Sequence, residues 1–173
     1  MRFLGKHMPN GLQIKQMLDV GGSMGVFADK VCKLTGANGV VVDPSKDEIN
    51  KASERGLTCC CSSFMDYKTD KKFELISMMR TIEHLPSITD AFNKVKGLLA
   101  SDGVFLLDIV NHEWLVRMFH RVTWSTKIDH IYQLTDKTVR QYLDKCFPNY
   151  EIVSSDVSLR YILYLVKPCS KTV

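Results

Sequence analysis

The stretch Met17–Gly25, MLDVGGSMG, sets an acid, Asp19, near the end of an apolar run, with Gly21, Gly22 and Gly25 directly after it. An apolar run that meets glycines reads as a strand entering a tight turn. The helical pattern that follows would present its free N–H groups above the strand end. Glycine is needed where a ligand lies against backbone, although an ordinary strand-to-helix turn gives the same letters. Asp43 closes the next apolar run, eighteen residues after Gly25. A carboxylate there can accept two hydrogen bonds from ribose hydroxyls, or it can cap the following helix. The two features at this separation point to an adenosine-containing cofactor. The candidate proton acceptors are two histidines, His84 in Glu83-His84-Leu85 and His112 in Asn111-His112-Glu113. Imidazole is suited to take a proton from a hydroxyl near neutral pH. The plainer readings are a helix-start hydrogen bond for His84 and a solvated loop position for His112.

The elements that would position these residues alternate along the chain. Lys15–Val20 is a strand ended by Gly21-Gly22, and Met24–Leu34 carries Val26, Phe27, Val31 and Leu34 at helical spacing. Gly39–Val42 is a second strand. Ser45 through Arg55 is a helix with Ser45 as N-cap and Gly56 as C-cap. Leu57–Cys61 and Phe73–Met78 are a third and a fourth strand. Ser87 with Asp90 opens a helix whose apolar face is Ile88, Phe92, Val95 and Leu99. Gly103–Val110 is a strand apolar enough to be buried on both faces. Glu113–His120 is a short helical pattern, and Thr135 caps another helix, with Val139, Leu143 and Cys146 inward, up to Pro148. Tyr150–Ser154 and Leu159–Val166 leave only four residues between them, too few for a helix, so they must pair antiparallel. The pattern is an α/β doubly wound sheet, mostly parallel and seven-stranded, with a C-terminal antiparallel hairpin. With no repeat, linker or low-complexity tract, residues 1–173 read as a single domain with its core at about 15–167.

Composition excludes several classes. Hydrophobic residues make up 45% and charged residues 24% of the chain, which is a globular and not a disordered composition. The 23 Lys+Arg against 19 Asp+Glu give a net charge of +4, too small an excess to argue for nucleic acid as partner. No apolar run reaches the roughly 18 residues of a membrane span, and the N-terminus lacks a secretory apolar segment. Six cysteines occur without C-x-x-C, and three are consecutive, Cys59–Cys61. That arrangement fits neither a disulfide scaffold nor structural zinc, and it reads as soft side chains filling a buried strand in a reducing compartment. No metal is expected, and a cytoplasmic location is.

A dinucleotide fingerprint would be G-x-G-x-x-G, and from Gly21 two of its three glycine positions fail, at Ser23 and Val26. The segment Asp19-Val-Gly21-Gly-Ser23-Met-Gly25 instead resembles the D-x-G-x-G-x-G motif of the Rossmann-like (class I) S-adenosylmethionine-dependent methyltransferases. The likeness continues in order. Val40–Ser45 (VVVDPS) is similar to the ribose motif of that family, and Ser63-Phe64 to its adenine-flanking pair. Phe73–Leu85, ending in E-H-L, is similar to the fourth-strand motif, and Ser101–Ile109 to the fifth strand. The resemblance implies S-adenosyl-L-methionine as cofactor. It places Gly21 and Gly25 against the methionine part, with Asp19 fixing that loop, and Asp43 on the ribose hydroxyls. Pro44 and Phe64 would sandwich the adenine, and Met79 and Arg80 would border the sulfonium end.

Some positions depart from the family pattern. Ser23 replaces the middle glycine, which puts a side chain where the cofactor approaches, and Ser63 replaces the usual acceptor for the adenine amino group. Only about fifteen residues precede the first strand, where family members commonly have covering helices, so an open pocket and weak cofactor binding are expected. A cover would then come from the acceptor, from Arg117–Gln133, from a second copy of the chain or from a partner chain. A metal-assisted catechol-type site would want Asp where Met79-Arg80 stands. The Pro168-Cys169 pair lies after the last strand and is no nucleophile motif.

The expected activity is methyl transfer to a small molecule such as a sugar, most simply to oxygen. His112 and His84 are the catalytic candidates, although a sulfonium leaves readily and positioning can supply most of the rate. Lys127–Phe147 resembles the tail of enzymes acting on sugars and other small metabolites. Arg117, His120, Arg121 and Lys127 would suit a phosphate or carboxylate on the acceptor, or form a solvated face. The other reading is a methyltransferase-like binding module with weak or no catalysis that works with a partner chain.

Overall fold

A computed structural model describes residues 8–9, 11–112, 131–147, 149–157 and 161–169. In chain order the elements are β1 (Gln16–Val20), α1 (Val26–Thr35), β2 (Asn38–Asp43), α2 (Lys46–Ser53), β3 (Thr58–Cys61), β4 (Phe73–Met79), a 3-10 turn (Ile82–His84), α3 (Ile88–Leu98), β5 (Leu99–Val110), α4 (Asp136–Cys146), β6 (Tyr150–Val157) and β7 (Tyr161–Pro168). The strands form one sheet in the order β3-β2-β1-β4-β5-β7-β6. Pairing is parallel from β3 through β5, and β7 runs antiparallel to both β5 and β6. The expected sheet and terminal hairpin are therefore present.

Each buried strand divides its apolar residues between the two faces of the sheet, as a period of two requires. Leu18, Val40, Val42, Ile76, Met78, Phe105 and Leu107 pack on the face covered by Phe92 of α3 and by Val139 and Leu143 of α4. Met17, Val41, Leu75, Val104 and Leu106 pack on the other face with Ala28 and Val31 of α1 and Ile49 and Ala52 of α2. The Phe92 and Phe105 rings meet edge to face at 5.7 Å, which adds specificity to the first layer.

The caps are local and largely as read from sequence. The Ser45 and Ser87 hydroxyls accept from the amides of Glu48 and Asp90, and Thr135 forms a reciprocal capping box with Thr138. α2 ends earlier than expected, with Glu54 as C-cap and Gly56 two residues beyond at φ +81. β6 continues through Val157, past the expected end at Ser154, and a register shift between Ile152 and Ser154 accommodates the extension. The cysteine strand differs from expectation. β3 is the outermost strand of the parallel half, so Cys61 is exposed and Cys59 and Cys60 are half-buried. Burial there was set by strand order, which residue type does not report. The expected helix Glu113–His120, together with Arg117, His120, Arg121 and Lys127, lies outside the described residues. None of the described helices is long and apolar enough to cross a membrane.

Candidate active site

The strand order reverses between β1 and β4, and in such sheets a crevice opens beyond the carboxyl ends of the strands at that point. Two cavities lie there. The first, about 390 Å³, is lined by Asp19, Gly21, Ser23, Phe27, Met79, Arg80 and His84, among others. The second, about 590 Å³, is lined by Asp43, Pro44, Ser63, Phe64, Asp66 and Thr81, and it shares Gly21, Arg80 and His84 with the first. The two are one cleft with a waist.

Asp19 sits in β1 opposite Ser77 of β4, in register, so both side chains fall on one face. The Ser77 hydroxyl donates to Asp19 Oδ1 at 2.6 Å. Asp19 is 1% exposed, and its Oδ2 has no hydrogen-bond partner. Burial pushes its carboxyl up to about 7; the Ser77 bond opposes that rise and the nearby Asp43 charge adds to it. A buried acid with a free oxygen at a cavity wall is suited to meet a cation.

The turn after β1 is held by backbone in uncommon conformations. Gly21 has φ +66, and a β-carbon there would fall 2.4 Å from the Thr81 hydroxyl. Its N–H donates to Val42 O at 2.8 Å, which keeps bare backbone at the waist of the cleft. Ser23 has φ +49, a left-handed value that side chains disfavour. Its hydroxyl donates to Glu48 Oε2 on α2 at 2.6 Å, so the side chain expected to crowd the cofactor is tied to the neighbouring helix. Arg55 braces the same turn, donating from Nε to Met24 O at 2.9 Å.

Gly25 lines neither cavity. It is the N-cap of α1 at φ +70, and a β-carbon there would meet Leu57 Cδ1 at 2.5 Å and Ala52 Cβ at 3.1 Å. A side chain there would collide with Ala52 of α2 and with Leu57 just before β3, which is why the position needs glycine. Asp43 accepts from the Ser23 amide on Oδ2 at 3.0 Å and from the Ser45 amide on Oδ1 at 2.9 Å. Each oxygen keeps further acceptor capacity for a ligand hydroxyl. Capping of α2 falls to Ser45, not to Asp43.

Pro44, Ser63 and Phe64 line the second cavity together. Phe64 is 3% exposed, and the Lys94 ammonium lies over its ring at 5.1 Å from the centroid. Lys94 Nζ also donates to Met65 O at 2.9 Å and to Tyr67 O at 2.5 Å, fixing the loop after β3. Ser63 turns its hydroxyl onto Asp66 Oδ2 at 2.6 Å. Asp66 is thus a cavity-lining acid the motif comparison missed; the signal was its i+3 spacing from Ser63, a local capping pattern.

The histidines part company. His84 lines both cavities and is exposed. His112 is 3% exposed and lines neither, so its expected place at the open edge beside His84 is corrected. Glu83, between Ile82 and His84, is fully buried and accepts from the Val110 amide at 2.7 Å, tying the end of β4 to the end of β5. Among the described residues no group of three His, Cys, Asp or Glu could hold a metal.

A family model described as Methyltransferase domain matches residues 2–154. The ubiquinone biosynthesis O-methyltransferase of Actinobacillus pleuropneumoniae serotype 7 (strain AP76) is 31% identical over 114 residues, 59% of this chain and 48% of that protein. The chain therefore spans about half the length of the curated relatives it matches. The S-adenosylmethionine-dependent methyltransferase of Clostridium acetobutylicum ATCC 824 superposes with a TM-score of 0.76 at 17% identity, covering 95% of this chain and 88% of that one. The N-methyltransferase NodS of Bradyrhizobium japonicum WM9, solved with S-adenosyl-L-homocysteine, gives 0.69 at 16% identity, with 91% and 79% covered. The structural likenesses establish the fold. The family match spans most of the sequence, and the chain belongs to this methyltransferase-domain family.

Proposed function

We infer that the chain is an S-adenosyl-L-methionine-dependent methyltransferase that transfers the methyl group to an oxygen of a small molecule. The observation that carries this reading is the divided cleft, in which Gly21, Arg80 and His84 form the waist between two cavities. A cofactor with an amino-acid end and a nucleoside end needs two compartments with its reactive atom between them.

The residues present fit the group. Asp19, buried with a free oxygen, would receive the ammonium of the methionine end, with Gly21 offering bare backbone beside it. Asp43 would hold the ribose hydroxyls, and Pro44 and Phe64 would border the adenine. Asp66, oriented by Ser63, would accept from the adenine amino group in place of the usual acid. When bound, the cofactor supplies an activated methyl group on a sulfonium. Among the described residues, His84 at the waist is the one to take the proton that the acceptor oxygen loses.

The imidazole at the waist and the O-methyltransferases among the curated relatives both support an oxygen acceptor. Two of the three features that favoured a non-catalytic binding module were Ser23 and Ser63, the third being the short stretch before the first strand. Ser23 is engaged by Glu48 and Ser63 by Asp66, so neither blocks the cleft. Thermal unfolding with S-adenosylhomocysteine, NAD and NADP tests the reading. At about a hundred times its Kd, a ligand of the native state alone adds roughly 2.7 kcal/mol, a clear rise in Tm. S-adenosylhomocysteine should give that rise, and stabilisation by NAD instead would overturn the assignment.

A further inference from the structure

Arg80 is the one lysine or arginine among the described residues lining either cavity, and it lines both. The acidic side chains lining the same two cavities are Asp19, Asp43 and Asp66. Its backbone stands at φ +54, left-handed, and its N–H donates to Asp108 O at 2.9 Å. An uncommon conformation on a bulky residue, held by neighbouring structure, is the kind of strain found at ligand sites.

The side chain leans toward the half of the sheet away from the second cavity. Nε is 3.9 Å from Asp108 Oδ2 on β5, and the guanidinium carbon is 5.6 Å from the centroid of Tyr161 at the start of β7. At that separation the Asp108 contact is an ion pair without a hydrogen bond, so the donors of the fork stay available. Burial pushes the Asp108 carboxyl up to about 6 despite the Arg80 charge, with Glu83 adding to the rise. The Arg80 side chain is 59% exposed.

A guanidinium repels a sulfonium, so this charge does not serve the reacting end of the cofactor. We propose that Arg80 receives an anionic group of the methyl acceptor, a carboxylate or a phosphate, at the waist of the cleft. The planar fork matches either anion through two parallel hydrogen bonds. The acceptor is then a small molecule bearing that group within reach of the oxygen to be methylated, beside His84. The inference rests on the reading given under Proposed function and narrows its substrate class.

The test is a titration of inorganic phosphate, and separately of benzoate, into protein saturated with S-adenosylhomocysteine. The readout is the Arg80 Nε–H resonance, assigned by its loss in Arg80→Lys. Saturable movement of that resonance by one of the two anions is expected, and which anion moves it separates phosphate from carboxylate. Arg80→Lys keeps the charge and loses the fork, and calorimetric titration of the same anion into parent and variants should show it weakened about tenfold in Arg80→Lys. Arg80→Asn should abolish binding while keeping the fold, since Asn accepts left-handed backbone; its melting curve checks this. If neither anion moves the resonance, or both variants bind as the parent does, the proposal fails. It also fails if the anion displaces S-adenosylhomocysteine, because Arg80 would then belong to the cofactor's own carboxylate. Calorimetry of S-adenosylhomocysteine alone is the separate check on the cofactor. Should it not bind, the reading above is wrong, and the anion titration on ligand-free protein still decides the role of Arg80.

Discussion

The main-chain N–H of Ser23 donates to Asp43 Oδ2 at 3.0 Å, so the glycine-rich turn after β1 and the acidic end of β2 are joined directly. Asp43 shapes the turn as well as facing the second cavity. Asp43→Ala is expected to cost S-adenosylhomocysteine binding about 1.5–3 kcal/mol for each charge-assisted hydrogen bond lost. Asp43→Asn, which retains one acceptor oxygen, should fall between. Calorimetric Kd values for the three proteins check the order.

Asp66 gives a prediction about base identity. If its carboxylate accepts from the adenine amino group, Asp66→Ala should weaken S-adenosylhomocysteine about tenfold and leave S-inosylhomocysteine, which lacks that donor, nearly unchanged. Equal loss for both ligands would place Asp66 elsewhere in the cleft.

Gly21 and Gly36 share left-handed backbone, at φ +66 and +75, but differ in their surroundings. Nothing lies within 4 Å of a β-carbon at Gly36, whereas at Gly21 the Thr81 hydroxyl is 2.4 Å away. Gly36→Ala should cost about 1 kcal/mol of stability, from backbone conformation alone, and Gly21→Ala about 2–4 kcal/mol. Adding Thr81→Ala should recover part of the second loss but none of the first. Urea midpoints measure each step.

The two histidines should separate by readout. His84→Ala is expected to slow methyl transfer roughly 10²-fold or more while shifting stability by less than about 0.5 kcal/mol. His112→Ala should first lower stability, by about 1–3 kcal/mol, because it removes a buried polar side chain. Comparable losses of rate at unchanged stability would return His112 to the catalytic pair.

Asp19 and Asp108 set the pH dependence. Their carboxyls rise from an ordinary 3.8 to about 7 and about 6, both chiefly through burial. Between pH 4 and those values the native state holds protons that the unfolded chain releases, so stability should fall as pH rises through this window. Asp19→Asn should flatten the slope and raise stability at pH 8, by an amount on the order of a few kcal/mol. An ammonium placed beside Asp19 favours its ionised form. Binding of S-adenosylhomocysteine at pH 7 should therefore release a proton and weaken as pH drops, which calorimetry in buffers of different ionisation enthalpy reads directly.

What the sequence disclosed was local. The glycine turn, the serine and threonine caps and the order of strands and helices depend on neighbours within a few residues, and among the described residues they match the structure. Residues whose role depends on distant partners were misplaced or missed. Gly25 answers to Leu57 and Ala52, Ser23 to Glu48, and the exposure of Cys61 to the outer place of β3. Ser77 carries no motif and matters because parallel pairing sets it opposite Asp19. The buried position of His112 was equally invisible, since a histidine after a strand has the same letters whether covered or open.

The pairing of Asp19 with Ser77 also constrains how relatives of this chain can diverge. Facing positions on adjacent strands can trade residue types freely, but a single inserted or deleted residue in β1 or β4 would turn every later side chain of that strand to the opposite side. The serine would leave the acid, and the acid's charge would lose its donor. Length changes among working descendants should therefore collect in the connections and spare these two strands, so that a gap falling inside either one marks a copy whose cleft has stopped functioning.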